Sequence, residues 1–371
     1  MTETRLALAA ASLLLLQACA PTYGDAYLRA LAEAQRRDHD GLHVEAARAY
    51  GDAADKALRV KDRDEARYRQ ARSFERAERW AEADAALRRL AAESPSGPRT
   101  QRAAFDRADI AIEHGDAAQG YAMLEDALVR YPHEGLARPA LQHLVAHASE
   151  AAGEAAALAL LDRLRPKLRG TEEDQMVDYE AALCQERMGH KAEAHDGLIA
   201  AARAHPYPKG ALTDDAFVRA ARLDLELGRA EEATRHLREL LAAREESSFM
   251  TSEERPRFPE AQMLLGEIYR DHLHDHAAAR REFAKVCSEH GRSILCDDAL
   301  WAEAKLARAD GDSADACRVA AEITRSHADS RYAPCARLVC PSAPEGKRGC
   351  ADYIQRDLDE GEGARAGERA R

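Results

Sequence analysis

Trp80-Ala81-Glu82-Ala83-Asp84-Ala85-Ala86-Leu87-Arg88-Arg89-Leu90, followed by Pro95, sets the frame for the whole chain. Ala83, Leu87 and Leu90 are four and three residues apart, so they share one face of a helix. Pro95 then stops that helix. The frame recurs at a fixed period. Ala46, Ala83, Gly120, Ala157 and Ala194 are each 37 residues apart; Ala233 follows after 39, Ala279 after 46 and Ala316 after 37. Four residues after each stands Tyr50, Leu87, Leu124, Leu161, Leu198, Leu237, Phe283 or the smaller Ala320. Seven after stands Ala53, Leu90, Ala127, Leu164, Ala201, Leu240, Val286 or Ile323.

A second column of small residues lies twelve positions earlier: Ala34, Ala71, Ala108, Ala182, Ala221 and Ala304, with Val145 breaking the pattern and Gly266 fitting with one residue inserted. The spacing predicts two antiparallel helices per unit, touching where both columns are small. Gly41, Gly115, Gly189, Gly228 and Gly311 fall between the helices and supply turns. Pro95, Pro132 and Pro206 end second helices at multiples of the same period. One such unit cannot bury its own apolar stripe, so the units must stack.

Composition agrees. Of 371 residues, 81 are Ala and 25 are Val, Ile or Thr, and there is no Asn. A chain so poor in β-branched residues does not build a sheet. Ala, Leu, Arg and Glu favour helices, and an Ala-rich interior favours thin interfaces over one thick core. The net charge of −12 argues against nucleic acid as a partner. The expected fold is all-α: a right-handed α-solenoid of about eight helical pairs over residues 27–333, weakest around Leu141 to Leu168.

These units resemble tetratricopeptide repeats. The resemblance rests on Glu45-Ala46-Ala47-Arg48-Ala49-Tyr50, on Trp80-Ala81-Glu82-Ala83 ending at Pro95, and on Leu265-Gly266-Glu267-Ile268-Tyr269. The usual period is 34, so three extra residues per unit imply longer helices or loops. Two linkers, Glu289-His290-Gly291-Arg292-Ser293 and Ser326-His327-Ala328-Asp329-Ser330-Arg331-Tyr332-Ala333-Pro334, resemble the inter-repeat segment of bacterial envelope repeat proteins. That group includes the outer-membrane lipoprotein of the β-barrel assembly machine and the periplasmic coordinator of the Tol–Pal system.

The first residues read as an address. Leu6 to Leu16 is an eleven-residue apolar run, too short to span a bilayer. It leads into Leu16-Gln17-Ala18-Cys19, which resembles the bacterial lipoprotein signal. The resemblance implies a signal peptide over 1–18, cleavage before Cys19, lipidation of Cys19, and a short tether over 19–26. Several acyl chains on one Cys anchor stably, at about 0.8 kcal/mol per buried CH₂. Ala20 in place of Asp implies the outer membrane, facing the periplasm. About five residues then separate Cys19 from the first helix, a reach of about 17 Å at most.

In an exported chain the six cysteines from Cys287 to Cys350 are expected to form disulfides. Six allow fifteen pairings. The expectation is nearest-neighbour pairing, Cys287–Cys296, Cys317–Cys335 and Cys340–Cys350, which would tie a cap over 334–356 to the last unit. A zinc site from Cys335, Cys340 and Cys350 is the competing arrangement, but it lacks a tight Cys-x-x-Cys pair. Cys184 is expected as a buried thiol. Residues 357–371 are Gly- and charge-rich and are expected as a disordered tail.

No Gly-rich phosphate loop, Gly-x-Ser-x-Gly or His-Glu-x-x-His motif occurs, and no enzyme is expected. Asp271-His272-Leu273-His274-Asp275-His276 could ligate a metal, but it falls where a helix–helix turn is expected, so no metal or cofactor is assigned. The candidate site is the first-helix face, which lines the inner groove in the resembled family. Leu31, Tyr68, Phe105, Gln142, Tyr179, Val218, Met263 and Trp301 form one column there. Arg72, Arg222 and Lys305 stand one turn further on. Aromatics beside cations can anchor a peptide. The expected groove is Tyr68, Arg72, Phe105, Tyr179, Arg222, Trp301 and Lys305. The family's Asn-based clamp for C-terminal carboxylates cannot be built without Asn.

The expected role is a non-enzymatic scaffold, held to the membrane by its lipid, that binds envelope proteins or peptides. A pilotin-like escort of a secretin and a ligand-capturing lipoprotein are the alternatives.

Overall fold

The computed structural model describes residues 23–243, 255, 257–344 and 349–358. The lipoprotein motif and Cys19 lie outside them. Among the described residues every regular element is helical, and no helix is long and apolar enough to cross a membrane.

Sixteen helices form eight successive pairs. They are α1 (Asp25–His39) with α2 (His43–Lys56), α3 (Val60–Arg76) with α4 (Trp80–Glu93), α5 (Pro98–His114) with α6 (Ala117–Arg130), and α7 (Ala137–Ala152) with α8 (Glu154–Leu168). Then come α9 (Asp174–Arg187) with α10 (Lys191–Ala204), α11 (Thr213–Glu226) with α12 (Ala230–Ala242), α13 (Phe258–Asp271) with α14 (His276–Glu289), and α15 (Cys296–Ala309) with α16 (Ser313–Ser326). The number and order are those expected, including the weakly patterned pair α7–α8. A 3-10 turn at Ala333–Cys335, a one-turn helix α17 (Ala336–Val339) and α18 (352–358) follow. The chain divides into two compact units, residues 1–177 and 178–371, with the boundary inside α9.

The phased columns are the cores of both units. Ala46, Ala83, Ala157, Ala194, Ala233, Ala279 and Ala316 are each fully buried, as are Ala34, Ala71, Ala108, Ala221 and Ala304. Backbones approach closely at these positions. At Gly266, a Cβ would stand 2.5 Å from the Phe283 ring, so only Gly admits that ring between α13 and α14. The larger stripe is equally buried at Leu87, Leu90, Leu161, Leu164, Leu198, Leu237, Leu240 and Phe283. Burying one such side chain contributes about 1.5–3 kcal/mol, repeated once or twice per pair.

The turns follow one recipe. Gly41, Gly189, Gly228 and Gly311 are left-handed, with φ between +73° and +83°. The next residue's amide closes each turn onto the preceding helix: Leu42 N donates to Arg37 O, His190 N to Gln185 O, Arg229 N to Asp224 O and Asp312 N to Ala307 O. Gly115 departs from the expectation, at φ −141°. There the connection is shorter, and Asp116 caps α6 by accepting from Gln119 N. Ser94, Tyr131 and His205 end α4, α6 and α10, each one residue before Pro95, Pro132 and Pro206.

The two similar linkers fold alike. Ser293 Oγ accepts from Leu295 N and Ser330 Oγ from Tyr332 N, both at 3.1 Å. Ser330 Oγ also donates to Asp297 of the preceding pair at 2.6 Å.

The C-terminal segment packs on the last pair. Ala336, Val339, Cys340, Ile354 and Leu358 join Leu300, Trp301 and Ile323 in one apolar cluster. Three disulfides are present: Cys287–Cys296, Cys317–Cys340 and Cys335–Cys350. The first is the expected pair, joining α14 to the start of α15. The other two correct the nearest-neighbour assignment. α17 folds back along α16 and brings Cys340 to Cys317, which leaves Cys335 for Cys350. That pairing also uses every cysteine of the alternative zinc set. Asp357 and Leu358 close α18, with Leu358 buried, so they belong to the cap and not to the expected tail; 359–371 lie outside the described residues.

Candidate functional site

In the first unit the expected groove residues sit on α3 and α5. Tyr68 is 8% exposed and Phe105 1%. The Arg99 guanidinium lies over the Tyr68 ring, 4.8 Å from its centroid, and Arg102 Nε donates to the Tyr68 hydroxyl at 3.0 Å. Burial, reinforced by the Asp106 carboxylate, pushes the Tyr68 phenol up to about 12. Arg72, one turn on, pairs with Glu75. Glu75 is itself pushed up to about 7, chiefly by burial; Arg72 opposes the shift, while Asp106 and Asp109 add to it. Asp106 and Asp109 are raised by their own burial. This face is therefore a half-buried acidic cluster edged by Arg72, Arg99 and Arg102, with little apolar surface.

The second unit repeats the theme. Tyr179 on α9 is half-buried, and burial raises its phenol while the Arg219 guanidinium opposes the shift. Arg219 donates to Glu186, and Arg222 to Glu260 at 2.7 Å. Trp301 is 3% exposed and stacks on Tyr332 with centroids 5.1 Å apart. Lys305 Nζ donates to Asp357 of α18 at 2.6 Å.

Phe105 and Trp301 thus fill helix interfaces in this conformation, and Lys305 is engaged by the cap. At these two positions the column supplies packing, while Tyr179 is half-buried. A spacing that aligns side chains on one face does not say which neighbour covers that face. Arg72 and Arg222 keep about half their side-chain surface, 47% and 58%.

The Asp271–His276 run is the α13–α14 turn, as its position implied. His274 is left-handed at φ +53°, and His276 Nδ1 lies 2.5 Å from Asp310 of the next pair. Cys184 is buried and takes part in no disulfide, and Arg187 donates to its sulfur at 3.3 Å. The sequence reading did not single out a buried trio, His195, Asp224 and His236. A signal existed: position 224 holds the only carboxylate in its register, where equivalent units carry Arg37, Phe74, Ala111, Ala148, Gln185, Tyr269 and Ala307.

Residues 65–97 match the tetratricopeptide repeat family. The match runs from within α3 through α4 to Gly97, so the matched segment is the one that carries Tyr68, Arg72 and Glu75. A tetratricopeptide repeat protein from Parabacteroides merdae is 13% identical; the match covers 76% of this chain and 99% of that one, with a TM-score of 0.33. The C-terminal part of a TPR repeat-containing protein from Cytophaga hutchinsonii is 10% identical and covers 73% and 99%, with a TM-score of 0.43. No curated protein matches the chain.

Proposed function

We propose that this protein is a non-enzymatic scaffold, lipid-anchored through Cys19 to the periplasmic face of the outer membrane, that binds envelope proteins or peptides during assembly of a complex. The carrying observation is the succession of eight phased helical pairs, whose small-residue columns are buried alike in each unit while their first-helix faces differ from pair to pair. Uniform interiors hold a scaffold; varied faces give a partner something to read. Leu16-Gln17-Ala18-Cys19 supports the anchor, and the first helix starts at Asp25, close behind it. Exposed apolar side chains near that start, Tyr23, Leu28, Leu58 and Val60, fit a surface held against lipid or a membrane partner.

Two measurements test this. Metabolic palmitate labelling with membrane fractionation should place the wild-type chain in the outer membrane, labelled, and Cys19→Ser in the soluble fraction, unlabelled. Photocrosslinkers at Arg72 and Arg222 in native envelopes should trap a defined partner. A soluble, unlabelled wild-type protein removes the anchor; crosslinks no richer than those from an exposed second-helix control such as Arg88 remove the groove.

A further inference from the structure

His195 on α10, Asp224 on α11 and His236 on α12 meet inside the second unit. They are 7%, 0% and 4% exposed. Each offers a ligand atom within 4.8 Å of the others. A cavity of about 440 Å³ opens beside them, lined by both histidines and rimmed by Arg203, Arg229 and Arg235.

The hydrogen bonds assign the imidazole of His195. Its Nδ1 is 2.9 Å from Asp196 Oδ1, and a carboxylate only accepts, so Nδ1 carries the proton. When the ring is neutral, as a metal ligand must be, Nε2 then presents a lone pair. It faces Asp224 Oδ1 at 3.2 Å, also an acceptor, and neither atom makes a hydrogen bond. Two buried acceptors pointed at each other repel, and each is costly to leave unsatisfied. A cation between them resolves both problems. In a tetrahedral zinc site, with bonds of about 2.0–2.1 Å, neighbouring ligand atoms stand about 3.3 Å apart, which matches the observed separation. His236 closes the set: by the same rule its Nδ1 donates to Asp224 Oδ2 at 2.9 Å, and a bound metal would displace that proton. Asp196 supplies the outer carboxylate that orients a metal-binding His.

We infer that His195, Asp224 and His236 form a divalent-metal site of zinc type, with a fourth position open to the adjoining cavity. Two imidazoles and one carboxylate are a borderline-soft donor set suited to Zn²⁺ and poor for Ca²⁺ or Mg²⁺. The three arginines are balanced by carboxylates: Arg203 pairs with Glu239, and Arg229 and Arg235 flank Glu232. They leave the open position to water or to an anionic ligand. The trio is specific to this repeat. The register of His195 holds Ala47, Asp84, Tyr121, Leu158, Thr234, Arg280 and Cys317 in the other pairs, and that of His236 holds Ala49, Ala86, Met123, Leu160, Gly197, Glu282 and Val319. The neighbouring group Cys287, Cys296 and His327 is different in kind, because both sulfurs are already joined.

The test uses the full chain, stripped with chelator and titrated with Zn²⁺ or Co²⁺. The wild type should retain one equivalent of Zn²⁺ through gel filtration, gain thermal stability, and give the intense visible absorption of tetrahedral Co²⁺. His195→Gln and His236→Gln should lose all three responses. His272→Ala with His274→Ala should keep them, which separates the buried trio from the surface histidines. Asp196→Asn, at an exposed position where folding is not at stake, should weaken affinity about tenfold to a hundredfold. No stoichiometric metal in the wild type, or equal binding by His195→Gln and His236→Gln, overturns the inference; the trio is then held by hydrogen bonds alone.

Discussion

Gly120 on α6 runs so close to Ile112 on α5 that a Cβ would stand 2.6 Å from the Ile112 amide nitrogen and from its Cγ1. The Ala108 carbonyl would be 3.0 Å away. Two of these neighbours are backbone and cannot rotate aside, so Gly120→Ala must push the helices apart. The Ala gain in helix propensity, about 1 kcal/mol, works against that strain. The expected net loss is about 1–2 kcal/mol in denaturant unfolding. Gly51→Ala is the control. Its new Cβ meets only the amide end of the Gln70 side chain, which can swing away, so stability should be unchanged or higher.

Glu78 takes the left-handed turn position that Gly41 holds 37 residues earlier, with φ +57° against +76°. It closes the same turn: Arg79 N donates to Phe74 O at 2.9 Å. Glu78 is exposed and makes no ion pair among the described residues. A side chain in this region costs about 1–2 kcal/mol, while Gly adds back some entropy to the unfolded chain. Glu78→Gly should therefore raise stability by about 0.5–1 kcal/mol, read as a higher melting temperature. A lower melting temperature would contradict the strain argument.

The alanine columns and the Leu87–Leu90 stripe were legible in the sequence because every pair makes the same contact, so one period repeats the same evidence. Cys317–Cys340 was not legible, because it depends on how the chain folds back after α16, a single event with no period. Phe105 and Trp301 stand in the expected column but are buried, since spacing shows alignment and not what covers the aligned face. His195, Asp224 and His236 come together only through the packing of three helices. Their one trace in the sequence is a carboxylate at a core register.

Glu75 carries a pH dependence. Its folded carboxyl sits near 7, against an ordinary value of 4.5, because burial and the nearby Asp106 and Asp109 carboxylates disfavour the charge. The folded state thus holds this proton more tightly than the unfolded chain. The contribution is complete below about pH 4.5, falls as pH rises to about 7, and stays constant above. Glu75→Gln keeps the shape and removes the titration. It should flatten the stability profile between pH 4.5 and 7 and stabilise at pH 8 by on the order of 2 kcal/mol, less whatever the Arg72 pair contributed. Unfolding measured across that range checks it; a variant with an unchanged slope would show that another group sets the profile.

Cys317–Cys340 and Cys335–Cys350 interleave, each opening a loop that the other closes, over 23 and 15 residues. Loops of this size give each bond about 3 kcal/mol by restricting the unfolded chain. The interleaving makes the two effects non-additive, since either bond already shortens the loop left for the other. Replacing Cys317 and Cys340 by Ser should cost about 3 kcal/mol; removing all four cysteines should cost less than twice that. The loss should appear as early melting of the cluster around Trp301, visible in its fluorescence because Tyr332 and the cap cover that ring. Peptide mapping without reductant decides the connectivity first. Fragments joining Cys317 to Cys340 are expected, and fragments joining Cys317 to Cys335 would restore the neighbour pairing and remove the fold-back of α17 on α16.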